Sequence, residues 1–278
     1  MSWAARLDLG FRRDGARCVA RSAHEGPLRV LKALYPEDDG ICHQVIVHPP
    51  GGIVGGDRLH IELTLGADAH AVITTPGATR FYRSAGEPAA QQVGAALAPG
   101  ARLEWLPAET IAHSGCLAEG QQRFTLAPGA EMIGWELLAL GAPAAGEAFE
   151  AGRFTQHLEL HGVWLERGTI AAEDTRLLQS PVGLAGFSCA LTMWAAAGAA
   201  FESARAEALL DAARELADAP QATEAVFAGA TAVQPQVVVL RALAHRVEPV
   251  MALARAVRAR WRAALWQLDA PPLRVWRT

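Results

Sequence analysis

Leu97-Ala98-Pro99-Gly100-Ala101-Arg102 has two near copies in the chain. Leu65-Gly66-Ala67-Asp68-Ala69-His70 precedes it, and Leu126-Ala127-Pro128-Gly129-Ala130-Glu131 follows it. The leading leucines stand 32 and then 29 residues apart. Proline at the second turn position with glycine after it suits a type II turn. Each copy reads as a strand, a small-residue turn and a second strand. The second strands are Val72 to Thr75, Leu103 to Leu106 and Met132 to Leu140. Repeats near this period indicate stacked β units that share one core. Coincidence is the rival reading, since Pro-Gly turns are common. The expected fold is mainly β: stacked antiparallel strands in a sandwich or solenoid-like array, with about two α-helices toward the C-terminus.

Outward from the repeat, the N-terminal part continues the pattern. Ala5 to Phe11 and Ala16 to Ser22 flank Arg13-Asp14-Gly15 and read as a hairpin. Leu28 to Leu34 reads as a further strand. Beyond the repeat, Phe154 to Trp164 alternates, Gly162 marks a turn, and Trp164 to Gly168 starts another strand. Helices come late. Ala206, Leu209, Leu210, Ala213 and Leu216 recur at helical spacing within Glu202 to Ala217, and Pro220 lies just past the end. Val226 to Leu240 is uncharged and valine-rich, the pattern of strands. From Glu248 to Leu268, Val250, Leu253, Val257, Trp261, Leu265 and Leu268 form one apolar stripe. Arg255, Arg258, Arg260 and Arg262 are expected on its solvated face. Pro271 to Thr278 is expected to be extended. The chain reads as one domain, 1–278, β-rich over 1–200 and helix-containing over 201–278.

The 278 residues are 51% hydrophobic and 19% charged, with net charge −4. That is a well-cored globular composition with no basic excess for nucleic acid. Four cysteines, Cys18, Cys42, Cys116 and Cys189, show no Cys-x-x-Cys, which disfavours a zinc site or a disulfide framework. With no signal peptide in the pattern, a reducing cytoplasm is expected. Leu177 to Phe201 is uncharged over 25 residues, longer than the ~20 needed to span a bilayer. Its Pro181, Gly183 and Gly186 point instead to two buried strands with a break between them.

The densest motif is His48-Pro49-Pro50-Gly51-Gly52-Ile53-Val54-Gly55-Gly56-Asp57. Its prolines fix φ and its glycines permit positive φ, so the backbone is bent in a prescribed way between two strands. Phosphate binding fits badly: no Gly-Lys-Ser/Thr follows, and no helix begins after Asp57. Cys42, His43, His48 and Asp57 crowd one region, but on an extended strand His43 points away from Cys42 and His48. His157 and His161 are a metal pair only on a helix; on a strand they stand about 13 Å apart. Three glutamates sit beside bulky apolar residues: Glu104 in Leu-Glu-Trp-Leu, Glu136 in Gly-Trp-Glu-Leu and Glu166 in Trp-Leu-Glu-Arg. They are either wet-face residues or the walls of an interior acidic path suited to a divalent ion in transit. A pair of them could equally be a general acid and base. No nucleophile elbow occurs, and Ser84 and Ser114 have no triad context.

Several stretches together carry a resemblance. They are His48 to Asp57; Thr74-Thr75-Pro76-Gly77-Ala78-Thr79-Arg80-Phe81-Tyr82-Arg83-Ser84; Leu103 to Pro107; Gly134-Trp135-Glu136; and Arg274-Val275-Trp276. The sequence resembles the urease accessory protein UreD family, called UreH in some organisms, over essentially its whole length. The resemblance implies a mostly β, non-enzymatic maturation chaperone. Such a protein binds urease apoprotein with UreF and the GTPase UreG in a hetero-oligomer and helps deliver nickel. It implies transient Ni2+ and no tightly bound cofactor, with Asp57, Glu136 and Glu166 on the nickel route. The shaped loop holds His48, Gly51, Gly52, Gly55 and Gly56; the second motif holds Thr75, Arg80, Tyr82 and Ser84. Arg80 stands where the family usually has lysine, and Ile111-Ala112-His113-Ser114 lacks an expected aromatic residue. Two rivals stay open: a small-molecule enzyme using Asp57 and a glutamate as an acid–base pair, and a metal-free β interaction module.

Overall fold

The structure, a computed structural model, describes residues 2–219 and 226–277. Pro220, expected to end the first long helix, lies outside them. Two sheets face one another. In the first, β14 (Trp164–Ala171), β13 (Gly152–Leu160), β11 (Cys116–Leu126), β8 (Ala89–Leu97), β5 (Arg58–Leu65), β1 (Ala4–Asp14) and β2 (Arg17–Glu25) lie side by side in that order. The second runs β16 (Phe227–Gln234), β17 (Val237–Ala244), β15 (Cys189–Ala197), β12 (Glu131–Leu140), β9 (Arg102–Leu106), β6 (His70–Thr74), β4 (Ile41–Val47) and β3 (Arg29–Val30). Two short strands, β7 (Thr79–Phe81) and β10 (Thr110–Ala112), pair with each other, and β10 also pairs with β12.

The repeat is a set of corners. In each copy the first strand lies in the first sheet and the second strand in the other. The turns close through Ala69 N–H to Gly66 O, Ala101 N–H to Ala98 O and Ala130 N–H to Ala127 O, at 3.1, 3.1 and 2.9 Å. Asp68, Gly100 and Gly129 hold the left-handed position at φ 58, 73 and 82°. That is the turn expected from Pro-Gly. Copies stack in register: Leu65 pairs with Leu97, and Leu97 with Leu126. Ala69, Ala101 and Ala130 are fully buried at equivalent corner positions. Arg102 N–H reaches Ala69 O at 2.8 Å and Glu131 N–H reaches Ala101 O at 3.0 Å, tying corner to corner.

The mainly β, stacked, solenoid-like architecture agrees with the sequence. Strand direction is corrected. The stacked strands β5-β8-β11-β13 and β4-β6-β9-β12 are parallel. Antiparallel pairing is confined to pairs such as β1-β2, β13-β14, β12-β15, β15-β17 and β16-β17. The reason is that each turn passes the chain between sheets rather than back along its neighbour, so successive copies run the same way.

The second sheet is buried on both faces. Leu103, Trp105, Met132 and Leu138 pack toward the first sheet. Leu106, Ile133, Trp135 and Leu137 pack toward the helices. Strand alternation therefore sends neighbouring residues into two different cores. Among the described residues the helices are α1 (Thr175–Gln179), α2 (Ser203–Ala217) and α3 (Val247–Trp266). The last two match expectation. The first corrects it: the front half of Leu177 to Phe201 is a helical turn and bends, not a strand. Asp174 starts that turn, its carboxylate accepting the Leu177 N–H at 3.0 Å. Only Arg29–Val30 of the expected strand Leu28 to Leu34 is paired as a strand, and Arg274–Arg277 forms a 3-10 turn in the tail expected to be extended. No described helix is long and apolar enough to cross a membrane.

Two arginines of α3 are also corrected. Arg258 and Arg262 were expected on a solvated face; they are 1% and 0% exposed. Opposite charge on β9 and in the segment between β3 and β4 draws them in. Arg258 Nε donates to Glu104 Oε2 at 2.6 Å. Arg262 donates to both oxygens of Glu37, at 3.1 and 2.6 Å, and lies 3.5 Å from Glu104 Oε1. His43 Nε2 lies 2.8 Å from Glu37 and His70 Nε2 lies 3.3 Å from Glu104. Burial opposes ionisation of Glu104, but Arg258, His70 and Arg262 outweigh it and hold its carboxyl down at about 2.

Candidate functional site

His48 to Asp57 connects β4 to β5, and Thr74 to Ser84 carries β7. The fold brings these two motifs together. Ile53 N–H donates to Arg80 O at 2.7 Å, and Tyr82 N–H donates to Ile53 O at 2.9 Å. Thr75 Oγ1 donates to Gly77 O at 2.9 Å and accepts Ala108 N–H at 3.0 Å. Ser84 Oγ donates to Glu87 O and accepts Gly86 N–H. These hydroxyls shape loops. Gly51 and Gly56 occupy the left-handed region at φ 77 and 89°. Gly55 lies against Glu87 O and Ser84, and Gly52 lies against the Tyr82 ring. A Cβ on Gly52 would overlap that ring. Gly52→Ala should therefore cost about 1–3 kcal/mol by overpacking, read as a shift in urea midpoint. The double variant Gly52→Ala/Tyr82→Ala should recover part of that loss, and strict additivity would refute the contact.

Asp57 is 1% exposed and closes its loop. Its Oδ1 accepts Trp3 N–H at 2.7 Å and its Oδ2 accepts Val54 N–H at 3.0 Å. Both carboxylate oxygens are thus engaged by backbone. His48 Nε2 is buried without a hydrogen-bond partner. Burial pushes its pKa down, with the nearby Asp57 charge opposing. His48, Gly51, Gly52, Thr75, Arg80 and Trp105 line a cavity of about 220 Å³. Tyr82 stacks on His113 with ring centroids 4.9 Å apart.

Glu136 occupies a different setting. Trp135 and Leu137 face the helices, so strand alternation turns Glu136 inward between the two sheets. It is 7% exposed and accepts Gln156 Nε2–H at 2.6 Å. Burial pushes its carboxyl up to about 7; hydrogen bonds from Gln156 and Gln122 pull downward, and the Glu166 charge adds to the rise. Beside it lies a cavity of about 20 Å³, enough for one water. This cavity shares Thr79, Gln91, Trp105 and Pro107 with the one beside His48. Asp57 lines neither.

Glu166 points from edge strand β14 to Arg241 on β17, forming a two-pronged ion pair at 2.7 and 2.6 Å. Glu166 lies close enough for its charge to act on Glu136. The fold sets Glu104 on the other side of the second sheet, against α3. Cys42 packs in the inter-sheet core while His43 turns to Glu37, opposite ways as strand geometry requires. Burial pushes the Cys42 thiol up to about 11, away from ligand chemistry. His157 and His161 both meet Glu159, at 2.9 and 3.5 Å. Among the described residues, no three His, Cys, Asp or Glu side chains form a group able to hold a metal ion.

Sequence reasoning missed Gln122, Gln156 and Arg241. Parity was the available signal for the first: Ala118, Gly120, Gln122 and Phe124 share one strand face, and Phe124 is plainly core. No comparable signal marks Arg241, whose importance comes from a partner 75 residues away.

The geometry is that of a shaped, doubly buried β scaffold with interior carboxylates. Comparison with known proteins agrees. Residues 4–277 match the family model described as UreD urease accessory protein. A protein of Verminephrobacter eiseniae named urease accessory protein UreD is 56% identical over 276 residues, 99% of each chain. Proteins of that name from Leptothrix cholodnii and Variovorax paradoxus are 55% and 54% identical, each over 100% of both chains. The chain belongs to the UreD family of urease accessory proteins.

Proposed function

We propose that this chain is a non-catalytic scaffold of urease maturation that passes nickel through the space between its two sheets. In this reading it works in the cytoplasm within a complex of urease apoprotein, UreF and the GTPase UreG. One observation carries it: Glu136 is buried between the sheets, beside a cavity that shares walls with the one lined by His48. A buried carboxyl with only amide partners is costly to ionise and gains most from a passing cation. Oxygen ligands hold a divalent ion more loosely than thiolates, which suits transit. Glu136 and Glu166 offer those oxygens. Asp57 serves through the loop it clamps, which carries His48. The acid–base enzyme has less support, because backbone N–H groups engage both oxygens of Asp57.

The test is co-expression with the three partners, size-exclusion analysis of the complex, and metal quantification of the matured urease. Glu136→Ala and Glu166→Ala should leave assembly intact and lower urease nickel several-fold. Full nickel loading by both variants would remove the transit role.

A further inference from the structure

The interior carboxylate has a neighbour that the transit reading does not use. Across the second sheet, Glu136 pairs in register with Thr192 of β15, and Thr192 pairs with Arg241 of β17. Register partners share a face, so Glu136, Thr192 and Arg241 form one row on the inter-sheet side. From the opposite sheet, Gln156 of β13 meets Glu136, and Glu166 of β14 meets Arg241. The Arg241 side chain is 55% exposed and that of Glu166 is 22% exposed, whereas Glu136 is buried. The row therefore runs from solvent to the interior and has a cation at its outer end.

A second observation points to a ligand at the inner end. Gln122 is 8% exposed and lines the cavity beside Glu136. Its Oε1 is buried without a hydrogen-bond partner. A buried acceptor left unsatisfied costs about 1–3 kcal/mol, and a cation or water in the cavity would relieve it. An orphan carbonyl oxygen and a carboxylate on two residues lining one small cavity are oxygen donors suited to a hard or borderline divalent ion.

We propose that Arg241 is a removable plug: its guanidinium holds, on Glu166, the place a divalent cation takes on entering or leaving the row that ends at Gln122 and Glu136. The proposal rests on the transit reading and adds a gate to it. Arg241 competes with the cation for Glu166, so the site stays weak while the ion pair is closed. Its geometry suits release: the pair is partly exposed, and such pairs contribute little to stability. The guanidinium fork matches a carboxylate with two bonds, so closure is specific in shape.

Equilibrium dialysis of the full-length chain against Ni2+ tests the plug. Arg241→Gln should bind Ni2+ about tenfold more tightly than the unsubstituted chain, because a competing unit charge has left the site. Glu166→Gln/Arg241→Gln should return to weak binding. Arg241→Lys, which keeps charge but loses the fork, should fall between. The proposal is overturned if Arg241→Gln binds no more tightly. It is also overturned if that variant only lowers the melting temperature, as a plain staple between sheet edges would, or if the double variant binds as tightly as the single. The transit reading fails separately, on full nickel loading of urease by both Glu136→Ala and Glu166→Ala.

Discussion

Glu104→Ala should cost about 3–5 kcal/mol of stability, the usual effect of removing one partner from a buried ion pair. The carboxylate is fully buried against Arg258 at 2.6 Å and Arg262 at 3.5 Å. Taking it away strands the Arg258 guanidinium, whose Nη2 already lacks a partner. Arg262 keeps Glu37, so the loss falls mainly on Arg258. Urea denaturation at pH 7 reads the effect directly, and a change below about 1 kcal/mol would mean that water reaches the site. Acid supplies a second measurement. The carboxyl is held at about 2, below its ordinary 4.5, so it contributes stability above pH 4.5. That contribution fades as pH falls through 2. In Glu104→Ala this part of the acid transition should be absent. Glu104→Leu/Arg258→Met, which removes both charges and keeps volume, should recover most of the loss, since a buried ion pair is rarely worth more than a well-packed apolar pair.

Glu136→Gln should act in the opposite direction and stabilise the protein at alkaline pH. Burial raises this carboxyl to about 7 from 4.5. The unfolded chain therefore releases its proton before the folded one does, and stability falls as pH climbs from 4.5 through 7. At pH 8 the cost is complete, on the order of 3 kcal/mol. Glutamine carries no charge to bury. The gain should appear in urea melts at pH 8 and vanish at pH 4, where Glu136 is protonated in both states. A gain of equal size at both pH values would attribute the effect to packing instead. The same variant should deliver less nickel, so one substitution would raise stability and lower function. That trade is expected where a strained interior group is kept for use.

These two glutamates also mark how far the sequence is legible. The repeat with its leucines 32 and 29 residues apart predicts stacking, and those leucines do lie in one row. It does not predict strand direction, because a Pro-Gly turn serves equally in a hairpin and at a corner. Alternation assigns Glu104 and Glu136 to faces relative to their neighbours, but both faces of this sheet are buried. The choice between wet face and interior path therefore had no local answer. Arg258 and Arg262 read as solvated for the same reason: their partners, Glu104 and Glu37, are 154 and 225 residues away. Asp57 stands out in its motif, and one of the two backbone N–H groups it accepts belongs to Val54 of that motif, while the other belongs to Trp3, which no motif includes.

Those long separations bear on biogenesis. Stacked coils touch neighbours about thirty residues distant, so β layers can add one upon another as the nascent polypeptide leaves the ribosome. The arginines of α3 emerge only after every described β layer has been made. Until then Glu37 and Glu104 wait without the arginines that pair with them, and the part of the second sheet that α3 covers stays open. Closing contacts of such long range carry the largest loop entropy and form last. A ribosome-stalled or prematurely terminated product ending before Val247 should consequently be the aggregating, chaperone-dependent species, however complete its β layers.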